Sequence, residues 1–266
     1  MNLLLTDAER DAMARRLYEA KRTGVGLVPP PSEEIEFTMD DAYLVRRRFV
    51  DMLIADGRTP KGHKIGFTSE VMQRMYGMSG PDFGQLMDDV FVPLGEPVPA
   101  SALADARVEA EIAFVLERPL HGPGVTVEDV LDATRQVCAA IEVIDSRVGA
   151  MRAKAVDSIA DNAGAGKVVL GAVRLFPRDL DLAGVPILME VDGEVQRGVS
   201  GDVMGNPANA VAWLADKLAA IGGLGGSLEA GDVVMAGSAV RSVAVRAGSR
   251  LHATFGPFGE IEIVFS

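Results

Sequence analysis

The chain has 266 residues, 48% of them hydrophobic and 24% charged, the composition of an ordinary globular protein long enough to bury a substantial core. Its formal net charge of −12, without any Lys/Arg-rich stripe, excludes nucleic acid and anionic membrane as partners, because phosphate surfaces are held by counter-charge. No apolar stretch reaches the roughly 20 residues that span a bilayer, and Met1-Asn2-Leu3-Leu4-Leu5 lacks a basic leader, so the expected location is the cytoplasm.

Taken in chain order, Thr6 and Glu9 form a capping box that opens a helix to about Lys21, with Met13 and Leu17 on one stripe and Gly24 as its stop. After the rigid Val28-Pro29-Pro30-Pro31, a second helix starts at Thr38 with Asp41 in its third position. Ala42, Val45, Phe49 and Leu53 recur at helical spacing until Gly57. These helices predict a small N-terminal subdomain over residues 1–60, and the remainder, 61–266, predicts a second unit. Lys61 to Thr68 reads as a short strand entering a long Met-, Gly- and Pro-containing loop that runs to Asp82-Phe83-Gly84; loops of that length are often functional. A strand follows at Arg107–Leu116, then a helix from Thr126 capped by Asp129 and carrying Val130, Ala133 and Val137, then a strand at Ala139–Asp145. The polar, glycine-rich 145–166 segment leads to strands near Val168 and Val185–Met189. A helix begins at Asn206-Pro207, and the C-terminal third is all strand and turn.

Three glutamates stand out in this pattern. Successive strand residues point to opposite faces, so Glu109 and Glu111 share one face, and Glu142 interrupts an apolar run on the other side of the intervening helix. If the two segments pair in one sheet, three carboxylates converge where desolvation requires a compensating cation, and all-oxygen ligation suits a hard divalent ion such as Mg²⁺ or Mn²⁺. Alternation alone leaves open that Glu109 and Glu111 are the wet face of an edge strand. Lys64, flanked by Gly62 and Gly66, has room for close approach of a ligand, and His63 must then face away. Cys138, the single cysteine, sits among apolar neighbours and reads as a buried structural residue.

The runs Asp56–Ser69, Pro81-Asp82-Phe83-Gly84, Arg107-Val108-Glu109-Ala110-Glu111, Glu142–Arg147, Asp161-Asn162-Ala163 and Asn206–Leu214 occur in an order that resembles the hydratase and decarboxylase branch of the fumarylacetoacetate hydrolase superfamily. The resemblance covers nearly the whole chain. It implies an α+β fold, a mixed β-roll or barrel of that family's C-terminal type with a small helical N-terminal subdomain. It implies Mg²⁺ or Mn²⁺ held by Glu109, Glu111 and Glu142, with Lys64 at the catalytic lysine position and Asp82 on the loop that closes over substrate. Asp161, Asn162 and Lys167 are the expected substrate-binding residues, Lys167 for a distal carboxylate. The implied reaction is carbon–oxygen lysis: hydration of a 2-hydroxydienoate or 2-oxo-4-enoate from aromatic meta-cleavage, with 2-oxohept-4-ene-1,7-dioate favoured. The implied assembly is a homo-oligomer, pentameric or decameric, in association with a decarboxylase.

The chain departs from parts of the branch. Some members carry Asp-Trp-Lys-Ile-Lys after the Asp-Ser-Arg motif and a serine directly after Asp-Asn-Ala, where this chain has Gly164. A five-carbon dienoate hydratase and a 4-oxalocrotonate-type decarboxylase therefore stay open, since both use the same chelated 2-oxo acid. A C–C hydrolase needs a base-activated water, for which neither His63 nor His121 is well placed. A non-catalytic partner subunit has no reason to keep Lys64 and three crowded carboxylates.

Overall fold

The computed structural model describes residues 2–69, 73–74, 78–149, 152–222 and 224–266; parts of the long loop before Asp82, at 70–72 and 75–77, lie outside the described residues. Helix α1 (Asp7–Thr23) starts at the expected capping box, in which the Thr6 hydroxyl accepts from the Glu9 amide and the Glu9 carboxylate accepts from the Thr6 amide. It stops where Gly24 turns left-handed at φ 67. Helix α3 (Met39–Ala55) begins with the same device, built from Thr38 and Asp41, and the short α2 (Pro31–Glu34) links the two. The stripe Ala42, Val45, Phe49 and Leu53 is buried in one apolar cluster with Met13 and Leu17 of α1 and with Ile65 and Phe83 beyond. Each large side chain buried in this way contributes about 1.5–3 kcal/mol, so the first 60 residues share a continuous core with the rest of the chain.

That core is built on a curled seven-stranded sheet. Its order is β2 (Asp82–Met87), β1 (Pro60–Gly66), β8 (Val233–Ser238), β3 (Ala106–Leu116), β4 (Thr134–Asp145), β5 (Ala165–Leu170), with the short β9 (Val243–Ala244) also paired to β3. Only β1 and β8 run parallel; the other pairs are antiparallel. The curl is nearly a closed roll, because Phe91, just past β2, bridges Val168 of β5, and the Val92 amide donates to the Val168 carbonyl. One face of the roll carries Leu86, Ala113, Cys138, Ala140, Val168 and Met235. Those are mostly small or slender side chains, as a tightly curled interior requires. The other face carries Val108, Ala110, Ile112, Phe114, Val137, Ala139, Ile141 and Val143 and packs into the main core.

Several expectations change in detail. The helix expected to run through Val137 is only α4 (Val127–Ala133), and β4 starts at once behind it. The row Val137, Ala139, Ile141 and Val143 can be buried on one face only as a strand, which outweighs another helical turn. β3 and β4 do share a sheet, as direct antiparallel neighbours along their full length. β2 falls where the sequence reads as the end of a loop, and a short helix, α5 (Ala155–Ala160), lies inside the polar 145–166 segment.

A second antiparallel sheet, in the order β11 (Glu260–Val264), β10 (Arg250–Thr254), β6 (Pro186–Val191) and β7 (Glu194–Val199), covers the outer side. Its buried Ile187, Met189, Val191, Leu251, Ala253, Ile261 and Ile263 join the main core, while Glu260, Glu262 and Val264 face out, the alternation of a one-sided sheet. The β6–β7 hairpin turns through Asp192 and Gly193 with φ 50 and 89, the left-handed pair a two-residue hairpin needs. Helix α6 (Pro207–Ala220) opens as expected, with Asn206 accepting from the Ala208 amide and Pro207 in the first turn.

Candidate metal centre

The antiparallel register puts Glu109 of β3 directly across from Glu142 of β4, and Glu111 two residues further along the same face of β3. One carboxylate oxygen of each lies within 4.8 Å of the others. Glu111 and Glu142 are wholly buried and Glu109 partly so, which removes the wet-face reading for Glu111 and leaves Glu109 half-buried beside it. β3 is paired on both sides in the roll and is therefore not an edge strand.

The local backbone serves this cluster. The β3–β8 register slips between Glu111 and Ala113, and Gly237 adopts φ 101 there. The slip turns the Gly237 amide onto Glu111 Oε2 at 2.8 Å, as bulges beside functional sites re-aim single groups. A side chain at 237 would meet the Thr68 methyl at 2.5 Å, so the position requires glycine. Glu111 Oε1 and both Glu142 oxygens are buried without a hydrogen-bond donor. Three convergent carboxylates with orphaned oxygens match the ligand set of a hard divalent cation, since buried acceptors are otherwise satisfied.

Lys64 comes to this face from β1, across β8, in register with Met235 on one side and Gly84 on the other. Its ammonium lies 3.2 Å from Glu142 Oε1 and donates to the Ala163 carbonyl at 3.1 Å. Burial works against the charged lysine, but Glu142, Glu109 and Glu111 outweigh it and hold its pKa above the usual lysine value. The carboxylates move the other way. Burial first, then the Glu142 charge, pushes Glu109 up to about 7, and the same causes raise Glu111 well above the ordinary range. One ammonium among three carboxylates leaves a negative surplus, and the upward shifts express it: the cluster holds protons when no cation is present.

Asp82 opens β2 opposite Gly66, two residues from Gly84 and therefore on the same strand face. It is fully buried, accepts from the Phe83 amide at 2.6 Å and from the Ser158 hydroxyl at 3.2 Å, and burial raises its pKa against the pull of Arg46 and Lys64. His63, on the opposite face of β1, is buried against Phe83 with Nε2 2.8 Å from the Gly225 carbonyl, and burial depresses its pKa to about 4. It faces away from the carboxylates, as alternation requires.

The three residues expected to bind substrate fall elsewhere. Lys167 pairs across from Val143, which puts it on the face opposite Glu142, and its ammonium donates to the Asp89 carbonyl at 2.9 Å. It cannot meet a ligand at the glutamates. Asp161 accepts from the Arg147 amide at 2.9 Å and from Arg147 Nε at 2.5 Å, in an ion pair with no exposed atoms to offer; burial still holds its pKa up to about 6. The Asn162 side chain accepts from the Gln85 amide and donates to the Gln85 carbonyl, both at 2.8 Å, as a neighbouring strand would. Both residues are spent on structure. Arg46, which Asp82 feels as its nearest balancing charge, was missed. It sits inside the apolar stripe of α3, four residues after Ala42, buried with one nitrogen on the Phe83 carbonyl and its plane 3.9 Å over the Phe83 ring. A charged residue within an otherwise apolar stripe is the signal that marks such a position.

The family model described as fumarylacetoacetate (FAA) hydrolase C-terminal matches residues 58–265. The chain is 40% identical over 260 residues to the 2-oxo-hept-4-ene-1,7-dioate hydratase of Escherichia coli, covering 95% of this chain and 96% of that protein. It is 38% identical over 259 residues to the 2-hydroxyhexa-2,4-dienoate hydratase of Comamonas testosteroni, covering 96% and 97%. Among solved structures it is similar to 4-oxalocrotonate decarboxylase from Pseudomonas putida G7, complexed with magnesium and adipate, with a TM-score of 0.94, 31% identity and 100% of both chains covered.

Proposed function

This chain belongs to the fumarylacetoacetate hydrolase family, and on that premise we propose that it is a metal-dependent hydro-lyase adding water to a 2-hydroxydienoate or its 2-oxo-4-enoate tautomer. The observation that carries the reading is the set of orphaned, buried carboxylate oxygens of Glu111 and Glu142 beside Glu109, within reach of the Lys64 ammonium. Glu109, Glu111 and Glu142 would hold the cation, Mg²⁺ or Mn²⁺. When bound, it supplies Lewis-acid polarisation of a chelating 2-oxo acid.

The protein's own groups account for the proton movements. Lys64, kept charged by its glutamate neighbours, stabilises negative charge at the substrate's C2 oxygen as the dienol's hydroxyl proton is lost to solvent and C5 gains a proton, which leaves a C3–C4 double bond conjugated with the ketone. Asp82, whose burial raises its proton affinity, accepts a proton from water as the oxygen adds at C4 and the resulting enolate takes a proton back at C3, so that one water is added in all. Phe83 N–H and the Ser158 hydroxyl fix the Asp82 carboxylate.

The seven-carbon dioate remains the proposed substrate on the strength of the 40% identity with the E. coli hydratase. Lys167, whose ammonium is held by the Asp89 carbonyl, does not support it. A decarboxylase is the second reading, favoured by the structural likeness to 4-oxalocrotonate decarboxylase. No helix among the described residues is long and apolar enough to cross a membrane. A cytoplasmic location, a pentameric or decameric homo-oligomer and association with a decarboxylase are part of the same proposal. Light scattering after gel filtration tests the assembly.

The deciding experiment supplies the Mg²⁺-loaded protein with freshly generated seven-carbon dienedioate and five-carbon dienoate. Loss of dienol absorbance is followed while CO₂ and product mass are measured. Gain of one water without CO₂ is the expected result. Stoichiometric CO₂ release reassigns the protein to the decarboxylases, and faster turnover of the five-carbon compound removes only the dioate.

A further inference from the structure

Lys64 has no hydrogen-bond acceptor among the described residues except the Ala163 carbonyl; its contact with Glu142 is an ion pair in which neither glutamate oxygen receives a hydrogen bond. An ion pair sets the distance of the ammonium from Glu142 but not the direction of its three N–H groups, so the Ala163 carbonyl fixes that direction only if it is itself held in place. The acceptor lies on an unusual piece of backbone. Asn162, Ala163 and Gly164 are all left-handed, with φ 54, 52 and 63, and two of them are not glycine. Such a run is strained for a non-glycine residue and persists only where its surroundings over-determine it.

The surroundings do so from two sides. Arg147 sits wholly buried under the turn and spends its donors on it: the amide and Nε on the Asp161 carboxylate, Nη2 on the Asp161 carbonyl at 2.6 Å, Nη1 on the Ala165 carbonyl at 3.2 Å. On the other side the Asn162 side chain grips both backbone groups of Gln85. Gly84, the residue across from Lys64 in β2, completes the fit. A Cβ there would lie 2.2 Å from the Asn162 carbonyl oxygen, so the turn crosses the strand at the one place where no side chain intervenes.

We propose that the left-handed turn Asn162–Gly164, clamped by the Arg147–Asp161 pair and by Asn162 on Gln85, is the positioning element of the Lys64 ammonium. Through the Ala163 carbonyl it fixes one N–H of Lys64, so that the other two point toward Glu142 and the substrate. Asn162, Arg147, Asp161 and Gly84 are thus positioning residues that touch no substrate. The catalytic consequence rests on the role proposed above for Lys64; the structural one does not.

The test uses the full-length, Mg²⁺-loaded protein in two variants that leave Lys64 and the glutamates intact. Asn162→Ala removes the grip on Gln85, and Gly84→Ala pushes the turn off β2 without changing any polar group. Two readouts are taken: steady-state kinetics with the dienedioate, and the Nζ proton resonance of Lys64 in ¹⁵N-lysine-labelled protein, assigned by its loss in Lys64→Met. Both variants are expected to lower kcat about 10- to 100-fold with KM within about threefold, and to shift or broaden the Lys64 resonance, while Mn²⁺ affinity by calorimetry stays within about threefold of the parent. Val169→Ala, a cavity on the far face of β5, is the control for simple loss of stability and should leave kcat within about twofold. The proposal is overturned if either folded variant keeps both kcat and the resonance, or if Val169→Ala lowers kcat equally. Absence of hydratase turnover in the parent would remove the function assigned to the site, and the resonance would still decide whether the turn positions the lysine.

Discussion

Replacing Glu142 by glutamine is the substitution with the most to say about the centre, because its effects on stability and on metal binding separate. In the metal-free protein the Glu142 carboxylate is drawn to Lys64 at 3.2 Å, worth about 5 kcal/mol by Coulomb's law at an effective dielectric of about 20. It is repelled by Glu109 and Glu111, whose nearest ligand oxygens lie within 4.8 Å; if both were ionised, each would cost at least about 3.5 kcal/mol at that dielectric. Glu109, raised to about 7, is partly protonated near neutrality and Glu111 is shifted in the same direction, which trims the repulsion toward the size of the attraction. The terms therefore cancel to within about 2 kcal/mol, and Glu142→Gln should melt within roughly 8 °C of the metal-free parent. With metal the two diverge. A cation at 100 times its Kd stabilises the parent by about 2.7 kcal/mol, and the variant, short of a charged ligand, should show no such shift and should lose metal affinity by more than about 100-fold. Scanning calorimetry with and without Mn²⁺, titration calorimetry and turnover measure the three quantities. A variant that keeps the metal-dependent shift and full turnover would refute the three-carboxylate site. A collapse of the metal-free variant would refute the charge balance instead.

Other expectations rest on the same geometry. Lys64→Met keeps the apolar stem and removes the ammonium, so it should fold, bind metal at least as tightly once the competing cation is gone, and lose roughly 10² or more in kcat; near-parental turnover with a normal melting curve would take Lys64 out of the chemistry. Glu109, raised to about 7, and Glu111, also raised, bind more protons folded than unfolded. The contribution of Glu109 to the stability of the metal-free protein is complete below about 4.5, the unfolded value, and is lost as pH rises through about 7; that of Glu111 is also lost as pH rises. Metal-free melting temperatures should accordingly fall across that window while Mn²⁺ affinity rises and binding releases protons, and a pH-independent affinity between 5 and 8 would contradict the shifts. Lys167→Met should leave kcat within about twofold and cost about 1–2 kcal/mol through its lost bond to the Asp89 carbonyl; a large kcat loss would return Lys167 to the site.

The sequence by itself determined whatever depends on near neighbours. Thr6 with Glu9 and Thr38 with Asp41 mark helix starts because capping is a contact over three residues, and Gly24 marks a stop because only the local φ matters there. Alternation alone put Glu109 and Glu111 on one face and separated Lys64 from His63, since the strand period is a property of the backbone. Two kinds of fact lay outside that reach. Where a helix pattern and a strand pattern overlapped, as from Ala133 to Val137, the choice depended on which face had a core to bury against, and that core is assembled from β3, β4, β8 and the outer sheet. The second concerns polar residues with more than one plausible partner. Asp161, Asn162 and Lys167 look like ligand-binding groups in the chain, yet Arg147, Gln85 and Asp89 claim them, through register and long-range packing that no local pattern encodes. The Glu109–Glu142 register, the bulge that turns Gly237 onto Glu111, and the turn that sets Ala163 on Lys64 are decided in the same way. A local motif names which groups are present, but a charge buried in the fold finds its partners or goes without according to neighbours brought in from 99 residues away, as for Lys64, or 126, as for Glu111.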